Sequence, residues 1–178
     1  ELFTDLPLIA DQAVSHHCGS CQACIDICPT QAIVAPYELD ARLCISYLTI
    51  ENKGIIAPNL RPLIGNRVFG CDDCQLICPW NRYAQLSAED DFKARHRLDS
   101  LSLLELFLWS EQSYLDKTEG SPIRRVGYDG FLRNIAIGLG NAPYDPNIIQ
   151  ALEDKKEKVS NLVQEHIDWA INEQKSRI

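Results

Sequence analysis

The sequence contains no methionine and, after Cys78, no cysteine. With no initiator methionine, the chain is expected to begin inside a longer protein. The opening Glu1–Asp5 has neither a basic n-region nor a long apolar stretch, so it does not read as a signal peptide. No run approaches the ~18 consecutive apolar residues of a membrane span, so no membrane contact and a cytoplasmic location are expected. Positive charge is scarce: 17 Lys and Arg stand against 25 Asp and Glu, a net charge of −8. A chain this acidic has to concentrate its basic residues locally in order to hold a nucleic acid. The apolar share of 46% is enough for a packed core and excludes wholesale disorder. The length suits one domain or two small ones.

What is present is sulfur in one place. The eight cysteines, at 18, 21, 24, 28, 44, 71, 74 and 78, fall in a 61-residue window. Disulfide frameworks are features of small secreted domains and spread their staples over the fold, so this crowding argues against them. Cys18/Cys21 or Cys71/Cys74 alone would suit half of a tetrahedral zinc site. However, CGSCQACIDICP (18–29) is a C-x2-C-x2-C-x3-C-P run, which reads as iron–sulfur. Three thiolates on a tight loop embrace one cubane, and the fourth, a helical turn further on, ligates the other. CDDCQLICP (71–79) repeats the last three ligands of that run, but position 68, where the first would fall, is Val68. Cys44 is left over and fills the gap. Crossover and counting then assign Cys18, Cys21, Cys24 and Cys78 to one cluster, and Cys28, Cys44, Cys71 and Cys74 to the other. Ligation should supply much of this region's folding free energy.

Along the chain, residues 1–17 read as an extended lead-in and Ile33-Val34 as a short strand. Asp40 caps a turn leading to Cys44, residues 45–50 are open between helix and strand, and a short helix runs from Asn59 to Ile64. Asp72 and Asp73 are expected to cap the second cluster helix. After Pro79 the pattern is helical. Segments start in the stretch Ser100–Trp109, at the caps Ser110 and Ser160, at Asp129 and at Asp145-Pro146, and Gly140-Asn141 ends the one that Asp129 opens. The expected fold class is α+β: a bacterial two-cluster ferredoxin-like domain over residues 1–88, then an all-α domain over residues 89–178. Only residues 93–140 carry more basic than acidic residues, seven against six. They hold Lys93, Arg95, Arg97, Arg124, Arg125 and Arg133.

The cysteine run, together with LDARLCISYLTIE (39–51), RPLIGNRVFGCDDCQLICPWN (61–81), TEGSPIRRVG (118–127) and LRNIAIGLGNA (132–142), resembles the epoxyqueuosine reductase family. LVQEHIDWA (162–170) is similar to the second helix of a HEAT repeat, also a feature of that family. The resemblance covers essentially the whole chain. It implies reduction of epoxyqueuosine to queuosine at the wobble position of tRNAs with GUN anticodons, those for tyrosine, histidine, aspartate and asparagine. The implied cofactors are two 4Fe–4S clusters, which receive electrons from a donor not identifiable in the sequence, and cobalamin, whose cobalt they reduce. The family's cluster ligands carry over to all eight cysteines in the same division. Ser46, beside Cys44, is nominated as facing the corrin. Arg124, Arg125 and Arg133 become candidate tRNA phosphate contacts, with Lys93, Arg95 and Arg97 behind them. The family's preceding domain holds most of the cobalamin and carries the acidic proton donor. None of the residues here reads as a general acid, so no catalytic residue is assigned, and this chain alone is expected to bind clusters without turning over. A monomer is expected. Reductive-dehalogenase-like chemistry and a plain electron-transfer ferredoxin module are the competing readings.

Overall fold

In the computed structural model, residues 3–15 and 18–178 are described; residues 1, 2, 16 and 17 of the expected lead-in lie outside them. Residues 3–15 run exposed and without regular structure.

The cluster-bearing part is built from short pieces between turns. Helix α1 (Ala23–Ile27) follows Cys18 and Cys21 and carries Cys24 in its first turn. Strands β1 (Ile33–Ala35) and β2 (Glu38–Leu39) pair antiparallel, with Ile33 opposite Leu39. Asp40 then shapes the turn toward Cys44: its carboxylate accepts from the Arg42 backbone N–H at 3.0 Å and from the Arg42 guanidinium at 2.7–2.9 Å. The ambiguous stretch 45–50 becomes a single π-helical turn, Tyr47–Glu51, of the kind that recurs at functional sites. Helix α2 (Arg61–Ile64) stops at Gly65, whose φ of +64° suits glycine. Helix α3 (Asp73–Leu76) follows Cys71 and carries Cys74.

The remainder is helical: α4 (Leu103–Phe107), α5 (Glu111–Lys117), α6 (Tyr128–Asn141), α7 (Pro146–Lys156) and α8 (Asn161–Lys175). Ser102 and Glu105 close a reciprocal capping box on α4. Asp145 caps α7 through the Asn147 N–H, with Pro146 in its first turn. Ser160 sits at the α8 N-cap but makes no capping bond, and its buried hydroxyl finds no partner. Helix α6 lies at the centre, with residues 130–140 all buried, and it packs most closely on α8. An ideal Cβ on Gly140 would lie 2.5 Å from the Trp169 ring and 3.0 Å from the Ala170 Cα. The main core joins Phe107, Tyr114, Phe131, Leu132, Ile135, Leu152, Val163 and Ile167.

The expected boundary between residues 88 and 89 falls in an exposed stretch, but it does not separate two independent cores. Ile137 of α6 packs in one cluster with Ile45, Leu48, Ile56, Leu60 and Ile64. Buried polar groups cross the same seam. Asn134 Nδ2 donates to the carbonyls of Thr49 and Val68, and Asn141 Nδ2 to those of Arg61 and Gly65, all at 2.7–2.9 Å. Arg61 grips both Glu165 oxygens at 2.7 and 2.8 Å and also donates to the Ile56 carbonyl.

Candidate metal centre

The chain order scatters the eight cysteines over sixty residues, and the fold gathers them around two cavities. Cys18, Cys21, Cys24 and Cys78 line one of about 190 Å³, closed on one side by Trp80. Cys28, Cys44, Cys71 and Cys74 line a second of about 390 Å³, with Cys18 and Cys24 also on its wall. None of the eight is in a disulfide; Cys18 and Cys21 are exposed and the other six half-buried. Among the described residues no group of three or more His, Cys, Asp and Glu side chains has the spacing to hold a single metal ion. Sulfurs spread around a cavity suit a multi-atom cluster better.

Local structure explains how each sulfur comes to face inward. Cys28 ends α1, and the chain folds back over it. The Ala32 N–H donates to its sulfur at 3.3 Å, and the Thr30 hydroxyl lies 3.7 Å away. Burial works against the thiolate, but these groups and the Thr30 and Ile33 backbone outweigh it and hold the Cys28 thiol below its ordinary value. On the other side, Ser46 and Thr49 of the π-turn clamp the backbone ahead of α3. Thr49 Oγ1 accepts from the Gly70 N–H, and Ser46 Oγ from the Cys71 N–H, both at 3.0 Å. Gly70, at φ +78°, allows the chain to present both amides. Val68 packs against the helical core and its carbonyl accepts from Asn134. Position 68 therefore faces the helical core, whereas Cys44 lines the second cavity.

Cys71 and Cys74 are shifted the other way. Burial pushes the Cys74 thiol up, and the neighbouring Cys71, Cys44 and Cys24 add to the rise. Burial likewise raises Cys71, against the pull of the Asp73 N–H and the Arg67 guanidinium. Crowded, half-buried sulfurs that resist ionising together are suited to a cationic iron–sulfur core, whose charge favours thiolates. The donor set thus fits two clusters.

Other nominated residues are placed differently. Arg133 is fully buried. Its guanidinium donates to the carbonyls of Leu48, Asn52 and Gly54 and to Asn134 Oδ1, at 2.7–3.1 Å. A phosphate cannot reach it, so the expected RNA contact is corrected to a structural bolt. Burial lowers its pKa to about 10, which leaves it charged at neutral pH. Arg124 and Arg125 are exposed at the end of a 3-10 turn, Pro122–Val126. Arg125 pairs with Glu51 at 2.8 Å. Lys93, Arg95 and Arg97 are also exposed. Ser46, nominated for the corrin, commits its hydroxyl to the Cys71 backbone, accepting from N–H and donating to C=O. Asp72 occupies the α3 N-cap position without a capping bond and accepts instead from Gln75 Nε2. Asp73 pairs with Arg67 at 2.5 Å. Sequence reasoning passed over Arg67, Thr30 and Thr49; the proximity of Arg67 to CDDC was the one available signal.

Residues 17–81 match the family described as "4Fe-4S double cluster binding domain". The class defined by cavities and match together is that of two-cluster iron–sulfur proteins. An epoxyqueuosine reductase of Pseudomonas aeruginosa is 60% identical over 96% of this chain and 48% of its own length. Among solved structures, epoxyqueuosine reductase from Streptococcus thermophilus is similar with a TM-score of 0.79 and 28% identity, covering 98% of this chain and 46% of that one. A crystal structure of epoxyqueuosine reductase with an epoxyqueuosine-modified tRNA-Tyr stem loop is similar with a TM-score of 0.73 and 27% identity, covering 95% and 53%. The chain belongs to the epoxyqueuosine reductase family, and it spans about half the length of the curated relatives it matches. Among the described residues no helix is long and apolar enough to cross a membrane.

Proposed function

We propose that the chain is the cluster-bearing part of a cytoplasmic enzyme that reduces epoxyqueuosine to queuosine in tRNA. The observation that carries this reading is the partition of the eight cysteines around two adjoining cavities, read with the family membership. Cys18, Cys21, Cys24 and Cys78 hold one 4Fe–4S cluster, and Cys28, Cys44, Cys71 and Cys74 the other, so that crossing ligands keep the two close enough for electron transfer. A separate electron donor reaches the clusters, and cobalamin, when bound, supplies the cobalt that takes their electrons. Cobalamin rests on the family alone: Ser46 stands beside Cys44, but with its hydroxyl committed it offers the corrin proximity rather than a hydrogen bond. The helical part, read as HEAT-like, presents Arg124 and Arg125 to phosphates of a GUN-anticodon stem loop, and the protein acts as a monomer.

Reconstituted protein should hold about eight iron atoms per chain, and Cys44→Ala about four. A Cys44→Ala variant that keeps two intact cubanes refutes the ligation. Reversing charge at Arg124 and Arg125 should weaken binding of an epoxyqueuosine-modified stem loop and flatten its salt dependence by roughly one to two units of log–log slope. Unchanged binding removes these residues from the interface. Absence of stem-loop binding in wild-type protein favours a plain electron-transfer module.

A further inference from the structure

The second cavity has a charged pair built into its wall. Asp73, one residue before Cys74, lines the cavity with Cys71 and Cys74. Arg67 bonds its carboxylate at 2.5 Å and donates to the Ile64 carbonyl at 3.0 Å. Both side chains are less than a third exposed. The guanidinium is therefore held from two sides, by the end of α2 and by the start of α3. The ion pair thus stands behind the stretch of wall that Asp73 forms with Cys71 and Cys74. Arg67 is not one of the sulfur ligands and acts through its charge.

We propose that Arg67 is a positioning residue that sets the reduction potential of the cluster held by Cys28, Cys44, Cys71 and Cys74, with Asp73 as its counterweight. This rests on the ligation reading above. Taking up one electron makes a cluster one charge more negative, so a fixed cation nearby stabilises the reduced form more than the oxidised one. Partial burial leaves that charge less screened than at a solvated surface. A fixed carboxylate does the reverse. Removing either partner leaves the other's charge uncompensated beside that cluster.

The test is a mediator titration of the reconstituted protein, poised with dithionite and followed by electron paramagnetic resonance, on wild type, Arg67→Gln, Arg67→Lys and Asp73→Asn. Arg67→Gln should move one of the two midpoints to more negative potential, and Asp73→Asn should move the same one to more positive potential. Arg67→Lys should recover part of the loss, and the other midpoint should stay in place. Iron content separates this from a structural role. Variants with full iron whose midpoints do not move, or in which both midpoints move together, overturn the assignment of Arg67. Wild-type protein holding fewer than two cubanes overturns the ligation reading itself. Should Arg67→Gln lose iron, Asp73→Asn still decides: a midpoint that fails to rise refutes the proposal.

Discussion

His166 and Arg133 show how single buried side chains tie the cluster region to the helices. His166 is fully buried. Its Nε2 accepts from the Ile56 N–H at 3.2 Å, so the ring proton sits on Nδ1 and is donated to the Leu162 carbonyl at 2.8 Å. Burial, with Arg61 and Arg133 nearby and Glu165 only partly opposing them, lowers its pKa from 6.5 to about 4. The unfolded chain therefore binds a proton that the folded chain refuses. Stability contributed by the neutral ring is complete above about pH 6.5 and drains away as pH falls toward 4. The loss is on the order of 3 kcal/mol over that window. In His166→Gln an amide replaces the acceptor and donor without titrating. Denaturant melts at pH 4.5 and 7 should then differ by markedly less than in wild type; an unchanged difference assigns the acid sensitivity elsewhere. Arg133 was legible as a basic residue in a basic segment, but its partners, backbone carbonyls some eighty residues away, leave no trace in local sequence.

At the scale of elements, the helices follow their punctuation. Ser102, Ser110, Asp145 and Gly65 stop or start segments where side-chain chemistry requires it. The π-turn at Tyr47–Glu51 was not legible. Its periodicity is loose, and its form is decided by what it must reach: Ser46 and Thr49 on one side for the 70–71 backbone, and Leu48 and Asn52 carbonyls on the other for Arg133. The α6–α8 contact is equally a matter of packing. A methyl group at Gly140 has no room against Trp169 and Ala170. Gly140→Ala is expected to destabilise by about 1–3 kcal/mol through overpacking, despite alanine's better helix propensity. Chemical denaturation measures it, and a stabilised variant would mean that the two helices can separate without cost.

For the whole molecule, the shared Ile137 cluster and the polar bridges from Asn134, Asn141, Arg61 and His166 predict one cooperative unit rather than two. The cluster loops contribute few buried apolar side chains of their own, so metal ligation carries that end of the fold. Stripping iron with a chelator under reducing conditions should lower the thermal midpoint measured by circular dichroism, while the helical signal persists at low temperature. Because the Ile137 cluster and the polar bridges span residue 88, the loaded protein should melt in a single transition. Two separated transitions would show that the parts before and after residue 88 melt independently.

Sequence by itself determined the chemistry: eight cysteines at spacings that permit two cubanes, with Val68 where a ninth would stand and Cys44 as the only spare. Ligand spacing along a loop is a local property, and so is helix capping, which made both readable. Tertiary structure alone decided which charges are free to act. Arg133 and Arg61 are sealed inside, Arg124 and Arg125 stay in water, and Arg67 is pinned between two helix ends by Asp73 and the Ile64 carbonyl. A charge's role depends on its solvent exposure and on partners distant in the chain, and neither is encoded within the window in which a motif can be read.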